Sequence, residues 1–446
     1  MITLEQQQDW LQQQLEAFSP APSGIDWLDR FRDQARSALS RQPLMDRKSE
    51  AWRYTRVERL LGTVYASPRN GFEPGLEDLK AYDLPELDGY RLVFHNGNYL
   101  PQLSLLDGLP CGVELGSLHS HLATNSSLIA AQLGKDAVQS SNLFTTLNSY
   151  LIDNGLLLHI DSGVKLDRPI QVIHISDGNK QPVMIQPRHL LVLDSGAKAT
   201  LVEHFVGNRG SGYFHNSLAE VIIGEDATLV HYRLQTEADD SHHLGSLYLQ
   251  QKARSHYTGA TLSFGGAWAR TDYNTVFAGE HAECLLSGLC TVGDEQLGDF
   301  HLDVQHNIPN CISREHFKGI AHGQGRAVFD GRVLVDKQAQ HSNAEMRNDN
   351  LMLNRKAEID TKPQLEIYAD DVKCSHGTTV GQIEPEQLFY LRSRGIGTEA
   401  AKRMLCQGFA GEIIDGIEPE ALRDYAYGKL VSALANAISE EQDQCQ

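Results

Sequence analysis

What most limits how this chain can fold is a weak self-similarity built from strand-forming residues. Gly196-Ala-Lys-Ala-Thr-Leu-Val202 returns as Gly224-Glu-Asp-Ala-Thr-Leu-Val230, and more loosely as Gly279-Glu-His-Ala-Glu-Cys-Leu285 and Asn354-Arg-Lys-Ala-Glu-Ile-Asp360. Aligning the alanines at 199, 227, 253, 282, 327 and 357 gives spacings of 28, 26, 29, 45 and 30 residues, the long one leaving room for an insertion. Repeats of this period made of strands predict a solenoid: one rung cannot bury its apolar face alone, and stacking supplies a continuous core. Short runs such as Leu156-Leu-Leu-His-Ile160, Ile170-Gln-Val-Ile-His-Ile175 and His189-Leu-Leu-Val-Leu193 fit that texture. The expected fold is mainly β, a right-handed parallel β-helix over residues 151–385. The rival is a β-sandwich, for which Asn154-Gly155, Asp177-Gly178 and Asp330-Gly331 are candidate hairpin turns; the repeat favours the helix.

The flanks read differently. Apolar residues recur at helical spacing through Trp10, Leu11, Leu15 and Phe18, again through Trp27, Leu28, Phe31, Ala35 and Leu39, and in a third run, after Pro43, through Trp52, Val57, Leu60 and Leu61. The stretch Pro20 to Gly24 separates the first two helices. Residues 1–150 thus form a helical region with short strands such as Tyr90-Arg-Leu-Val-Phe-His95, reached through a Gly-, Pro- and acid-rich tract from Tyr65 to Leu87. Past Pro385 helix returns over Gln387–Arg394, Thr398–Cys406 and Pro419–Ile438, so residues 386–446 are expected to be a docking surface or a cap on the coil.

A formal net charge of −19 disfavours nucleic acid or an anionic membrane as the main partner, since both call for basic patches. The N-terminus lacks the basic and apolar segments of a signal peptide, and no apolar run reaches membrane-spanning length, so a cytoplasmic protein is expected. Seven cysteines are scattered with no Cys-x-x-Cys pair, which is neither a disulfide framework nor a self-contained cluster site. Any such site needs histidine, carboxylate or another subunit to complete it.

There is no phosphate loop, the nearest string being Leu133-Gly-Lys-Asp136, so no nucleotide is expected to bind this chain itself. Gly-x-Ser-x-Gly and His-Glu-x-x-His are also missing. Chemistry-bearing residues concentrate elsewhere. In Ala369-Asp-Asp-Val-Lys-Cys-Ser-His-Gly-Thr-Thr-Val-Gly381, Cys374 and His376 stand two residues apart on an extended segment and face the same way. They are half of a soft-metal site, a thiolate–imidazole pair, or a buried thiol beside a polar neighbour. His281, His301, His306, His316, His322, His341 and His376 raise the alternative of a zinc- or iron-dependent enzyme. Asp294, Glu295, Asp299 and Asp303 are either a solvated edge or, through Asp299 and Asp303, the carboxylate pair of a β-helix carbohydrate-active enzyme.

One long span carries a resemblance. Arg347-Asn-Asp-Asn-Leu-Met-Leu, followed by Ala357-Glu-Ile-Asp-Thr-Lys-Pro-Gln-Leu-Glu-Ile-Tyr-Ala-Asp-Asp-Val-Lys-Cys-Ser-His-Gly-Thr-Thr-Val-Gly381, closely resembles the core signature of the SufB/SufD family of iron–sulfur cluster assembly proteins. With Glu50-Ala-Trp-Arg-Tyr-Thr55 and no N-terminal multi-cysteine motif, the chain is more similar to the SufD branch than to SufB. The resemblance implies a noncatalytic scaffold that pairs with SufB through the β-helices and docks the ATPase SufC through its C-terminal helices. It further implies that His376, with Cys374 beside it, meets a transient iron–sulfur cluster at the SufB interface. Self-pairing of the isolated chain through the same surface is a further expectation.

Overall fold

The structure, a computed structural model, describes residues 3–42, 49–68, 74–80, 82, 84, 87–122, 124, 126–135, 142–178, 181–208, 210 and 212–439. Pro43, Asp136 and Cys445 lie outside them.

The chain is a parallel β-solenoid of about 8 turns with helices at both flanks. Each turn gives one strand to each of two sheets, and each sheet has ten strands. The first sheet stacks Tyr90–His95, Ile170–Ser176, Lys198–Gly207, Thr228–Thr236, His256–Ser263, Glu283–Val292, Ile312–Ala321, Asn343–Met352 and Lys373–Gly381, all in parallel register. The second runs from Leu156–Ile160 through Arg188–Leu193, Tyr213–Ile223, His242–Gln251, Trp268–Phe277, Leu297–His306 and Arg326–Val335 to Glu358–Ile367. At the N-terminal end both sheets stop against an antiparallel strand, Asn98–Tyr99 on the first and Val113–Ser117 on the second. Parallel pairing elsewhere rules out the sandwich, and Asp330-Gly331 lies inside a strand rather than at a turn.

The repeat is real, but the alanine alignment is not its true register. Backbone hydrogen bonds make Ala197, Ala227, Ser255, Ala282, Cys311 and Ser342 the equivalent residues, at spacings of 30, 28, 27, 29 and 31. Each is buried and follows a residue with positive φ: Gly196, Asp226, Arg254, His281, Asn310 and His341. The left-handed conformation turns the chain through the corner, which explains the Gly, Asp and Asn found there. Ala199 and Ala253 are each two residues out of register, and Ala327 and Ala357 belong to the other sheet, so the 45-residue gap holds no insertion. A slip of two leaves inward and outward faces unchanged, so the hydrophobic pattern could not reveal it.

Both outer faces are covered, giving three layers of apolar packing. Val202, Tyr232, Leu234, Leu262, Leu289 and Ile320 on the first sheet meet Cys406, Ala410, Ile413 and Ile414 of helix Thr398–Ile414, and Leu422 and Leu430 of helix Glu420–Ser439. The C-terminal helices therefore lie along the flank of the solenoid and do not cap its end. On the second sheet, Phe214, Leu244, Trp268 and Leu297 meet Trp10, Leu11, Trp52 and Phe144. Burying each Val, Leu, Ile or Phe side chain among them contributes roughly 1.5–3 kcal/mol.

The expected first two helices are present as Leu4–Ala17, opened by a Thr3–Gln6 capping box, and Asp26–Leu39. The third is only a 3₁₀ turn, Glu50–Trp52, and one short helix, Glu58–Leu61. Between them Thr55 donates its hydroxyl hydrogen to Asp299, and Trp52 lies under the Arg270 guanidinium, 4.1 Å from it, so contacts with the sheet override helical spacing. Farther along, fully buried Arg188 joins the flank to the solenoid: Nη2 lies 2.6 Å from Glu220 Oε1, and Nη1 donates to Asn148 and Ser149 of helix Leu143–Leu151. Glu220 also accepts from the Gly134 backbone N–H.

Candidate functional site

Cys374 and His376 lie on Lys373–Gly381, the last strand of the first sheet, which among the described residues has a partner on one side only. Cys374 is in register with Ala344, and His376 with Met346. Both partners are inward-facing core residues at 1% exposure, so both site residues continue columns that run inside the solenoid. Because no further rung follows among the described residues, Cys374 is half-buried and His376 exposed. The matching last strand of the second sheet, Glu358–Ile367, is likewise only partly covered.

This end face is apolar as well as polar. Ile367, Tyr368 and Val380 are 41%, 62% and 46% exposed, an unusual display for the end of a stacked core. Burial raises the pKa of the Cys374 thiol, the charge of Glu315 adding to the effect and a hydrogen bond with the Ala344 backbone opposing it. Glu315 stands two rungs below His376 in the same column, Glu315–Met346–His376. Glu315 is 1% exposed, and burial pushes its pKa up to about 8, opposed by hydrogen bonding from the Ser313 side chain.

The other sequence candidates do not converge. His281 and His341 occupy left-handed corners and point to solvent, His301 packs beside Asp299 on the outer face, and His306 bonds Ser313 inside. His316 faces Asp349 and Glu412 beneath the C-terminal helix, a setting already neutralised by Lys318 and Arg347. Asp299 is buried between Thr55, His301 and Arg270, while Asp303 pairs with Arg332 at 2.9 Å. Four residues along one strand separate these carboxylates by about 13 Å, beyond the span of a glycosidase pair.

Sequence reading missed an interior polar cluster in the earlier rungs. His174, His189, Glu203, His231 and Arg233 form one group, and His215, Glu237 and His243 another, all buried. The available signal was a charged or imidazole side chain at inward positions of otherwise apolar strands, as in Leu201-Val-Glu-His-Phe205 and Leu229-Val-His-Tyr-Arg233.

Two family profiles tile the chain: "SUF system FeS cluster assembly, SufBD core domain" over residues 174–409 and "SufBD protein N-terminal region" over residues 6–172. The chain belongs to the SufBD family of iron–sulfur cluster assembly proteins. It is 34% identical over 397 residues to the iron–sulfur cluster assembly protein SufD of Escherichia coli, covering 88% of this chain and 90% of the relative. A SufBD family protein of Synechocystis is 30% identical over 400 residues, 88% of either chain, and SufD of Bacillus subtilis 25% over 451 residues, 96% and 98%. No helix among the described residues is long and apolar enough to cross a membrane.

Proposed function

We propose that this chain is a SufD-type scaffold subunit, not an enzyme, of a cytoplasmic SUF assembly complex. It pairs with SufB through the unfinished end of its solenoid, docks the ATPase SufC through the C-terminal helices, and offers His376 and Cys374 to a nascent iron–sulfur cluster shared with SufB. The observation that carries the reading is the position of this pair: both extend inward columns at a sheet end that lacks a further rung. A second solenoid seated there would cover Ile367, Tyr368 and Val380 and bring its own donors to the same lumen. On the flank, Phe389, Tyr390 and Met404 are 73%, 54% and 49% exposed, which supports docking of a further subunit at that side.

The chemistry assigned to each residue is simple. Neutral His376 presents a ring nitrogen lone pair to iron, and Cys374 gives up its thiol proton to become a ligand or sulfur acceptor. A raised thiol pKa keeps Cys374 protonated until a cation or cluster offsets the charge. Because stacked rungs are rigid, ATP-driven approach of two SufC subunits would move the end faces as bodies.

The test is iron and acid-labile sulfide bound after anaerobic reconstitution of this chain co-purified with SufB and SufC, wild type against His376→Ala. Cluster held by the wild type and lost by the variant supports the site. Equal loading of both, or no complex at all, overturns it.

A further inference from the structure

Within the earlier rungs the lumen holds donors that the assembly reading does not use. His215 and His243 are register partners on adjacent strands of the second sheet, and Glu237 enters from the corner after Thr228–Thr236. His215 Nδ1 lies 3.6 Å from Glu237 Oε1, and His243 Nδ1 lies 2.7 Å from Glu237 Oε2. One ligand atom from each residue lies within 4.8 Å of both others, and the three side chains are at most 3% exposed. Glu237 Oε2 also accepts from Gln235 Nε2 at 3.2 Å, whereas Glu237 Oε1 and His215 Nε2 have no hydrogen-bond partner among the described residues. Buried polar atoms without partners are rare, and this group holds two of them within a cluster compact enough to share one ion.

Tetrahedral ligands bonded at about 2.0–2.1 Å stand about 3.3–3.4 Å from one another, so His243 Nδ1 and Glu237 Oε2, at 2.7 Å, part by about 0.6 Å when they share an ion. Charge points the same way. Two buried carboxylates, Glu203 and Glu237, share the lumen with a single guanidinium, Arg233, leaving room for one more positive charge.

The neighbouring group of His174, His189 and Glu203 does not qualify. His189 Nδ1 accepts the Leu156 backbone N–H at 2.9 Å, so its Nε2 carries the ring hydrogen and has no lone pair for a metal.

We propose that His215, Glu237 and His243 hold one divalent transition-metal ion of the zinc or ferrous class, a two-histidine, one-carboxylate donor set, inside the solenoid. The Ser176 hydroxyl hydrogen-bonds His215 Nδ1 at 3.1 Å and orients that ring. Five strand steps, about 24 Å, separate this centre from the end face, so it is a resident ion that ties a corner to the second sheet and is distinct from cluster assembly.

The experiment uses the full chain carrying Cys374→Ser and His376→Ala, so that metal at the end face is not counted. It is unfolded with chelator and refolded with or without zinc, then assayed for bound metal and thermal midpoint. About one equivalent of zinc and a midpoint raised by several degrees are expected, both lost in Glu237→Gln and kept in Glu203→Gln. No retained zinc, or loss in Glu203→Gln but not in Glu237→Gln, overturns the site. Should the variants fail to refold, the same chain produced on cobalt decides: a ligand-field spectrum free of thiolate charge transfer is expected, and thiolate bands or no bound cobalt refute it.

Discussion

His376 and Met346 are register partners on adjacent strands, yet Met346 is 1% exposed and His376 is open to solvent. The two positions should separate cleanly in a substitution experiment. His376→Ala is expected to change unfolding free energy by less than about 0.5 kcal/mol, whereas Met346→Ala should cost about 2–5 kcal/mol through the cavity it leaves. Urea denaturation of both variants measures this; a large loss in His376→Ala would mean that its role is packing.

Glu315 should give the fold a distinct pH dependence. Burial raises its pKa to about 8, above the usual carboxylate value, so the folded state keeps a proton that the unfolded chain releases. Its contribution is fully present below about pH 4.5 and is lost as pH rises towards 8, at up to about 1.4 kcal/mol per pH unit. Replacing it with glutamine should remove that slope, so the stability difference between Glu315→Gln and wild type grows from pH 5 to 8 and then levels off. Parallel stability curves across that range would refute this.

Thiol reactivity should follow exposure. Cys111 is exposed, Cys374 half-buried, and Cys284, Cys290, Cys311 and Cys406 buried, with burial pushing the thiols of Cys290 and Cys406 up to about 12. Peptide-level mass spectrometry of the alkylated native chain should find Cys111 modified first, Cys374 next, and the other four only on unfolding.

Arg188 and Glu220 fix the N-terminal flank to the second sheet. Glu220→Ala leaves a guanidinium with no solvent contact and no carboxylate, an expected loss of about 3–5 kcal/mol. Limited proteolysis should show cleavage in the N-terminal helices before the solenoid; unchanged stability would mean that the two regions are coupled elsewhere.

How legible all this was depended on distance along the chain. Rungs are local, so the strand pattern and its period predict the solenoid, and the runs around Trp10 and Leu28 predict the first two helices. Register is not local, and a two-residue slip at Ala199 or Ala253 satisfies the same alternation. The short segment around Thr55 departs from its helical spacing because its fate is set by Asp299, 244 residues away. Cys374 and His376 were visible as a pair because a strand places i and i+2 on one side. Histidines 174, 189, 215 and 243 were not grouped, because they meet only when two sheets close over a lumen.

The exposed Tyr368 and Val380 should make the isolated chain self-associate end to end, weakly enough to depend on concentration. Tyr368→Asp with Val380→Lys is expected to shift sedimentation towards the monomer while leaving the circular dichroism unchanged. If association persists, another face is responsible.

The two ends of the solenoid are unlike: antiparallel strands finish one, and nothing finishes the other among the described residues. This gives the protein a polarity that limits how it can be joined. A stack with two bare ends could add units indefinitely and grow into a fibre, whereas one with a single bare end is used up by its first neighbour. Any pairing at that end would therefore be self-terminating and would stop at two.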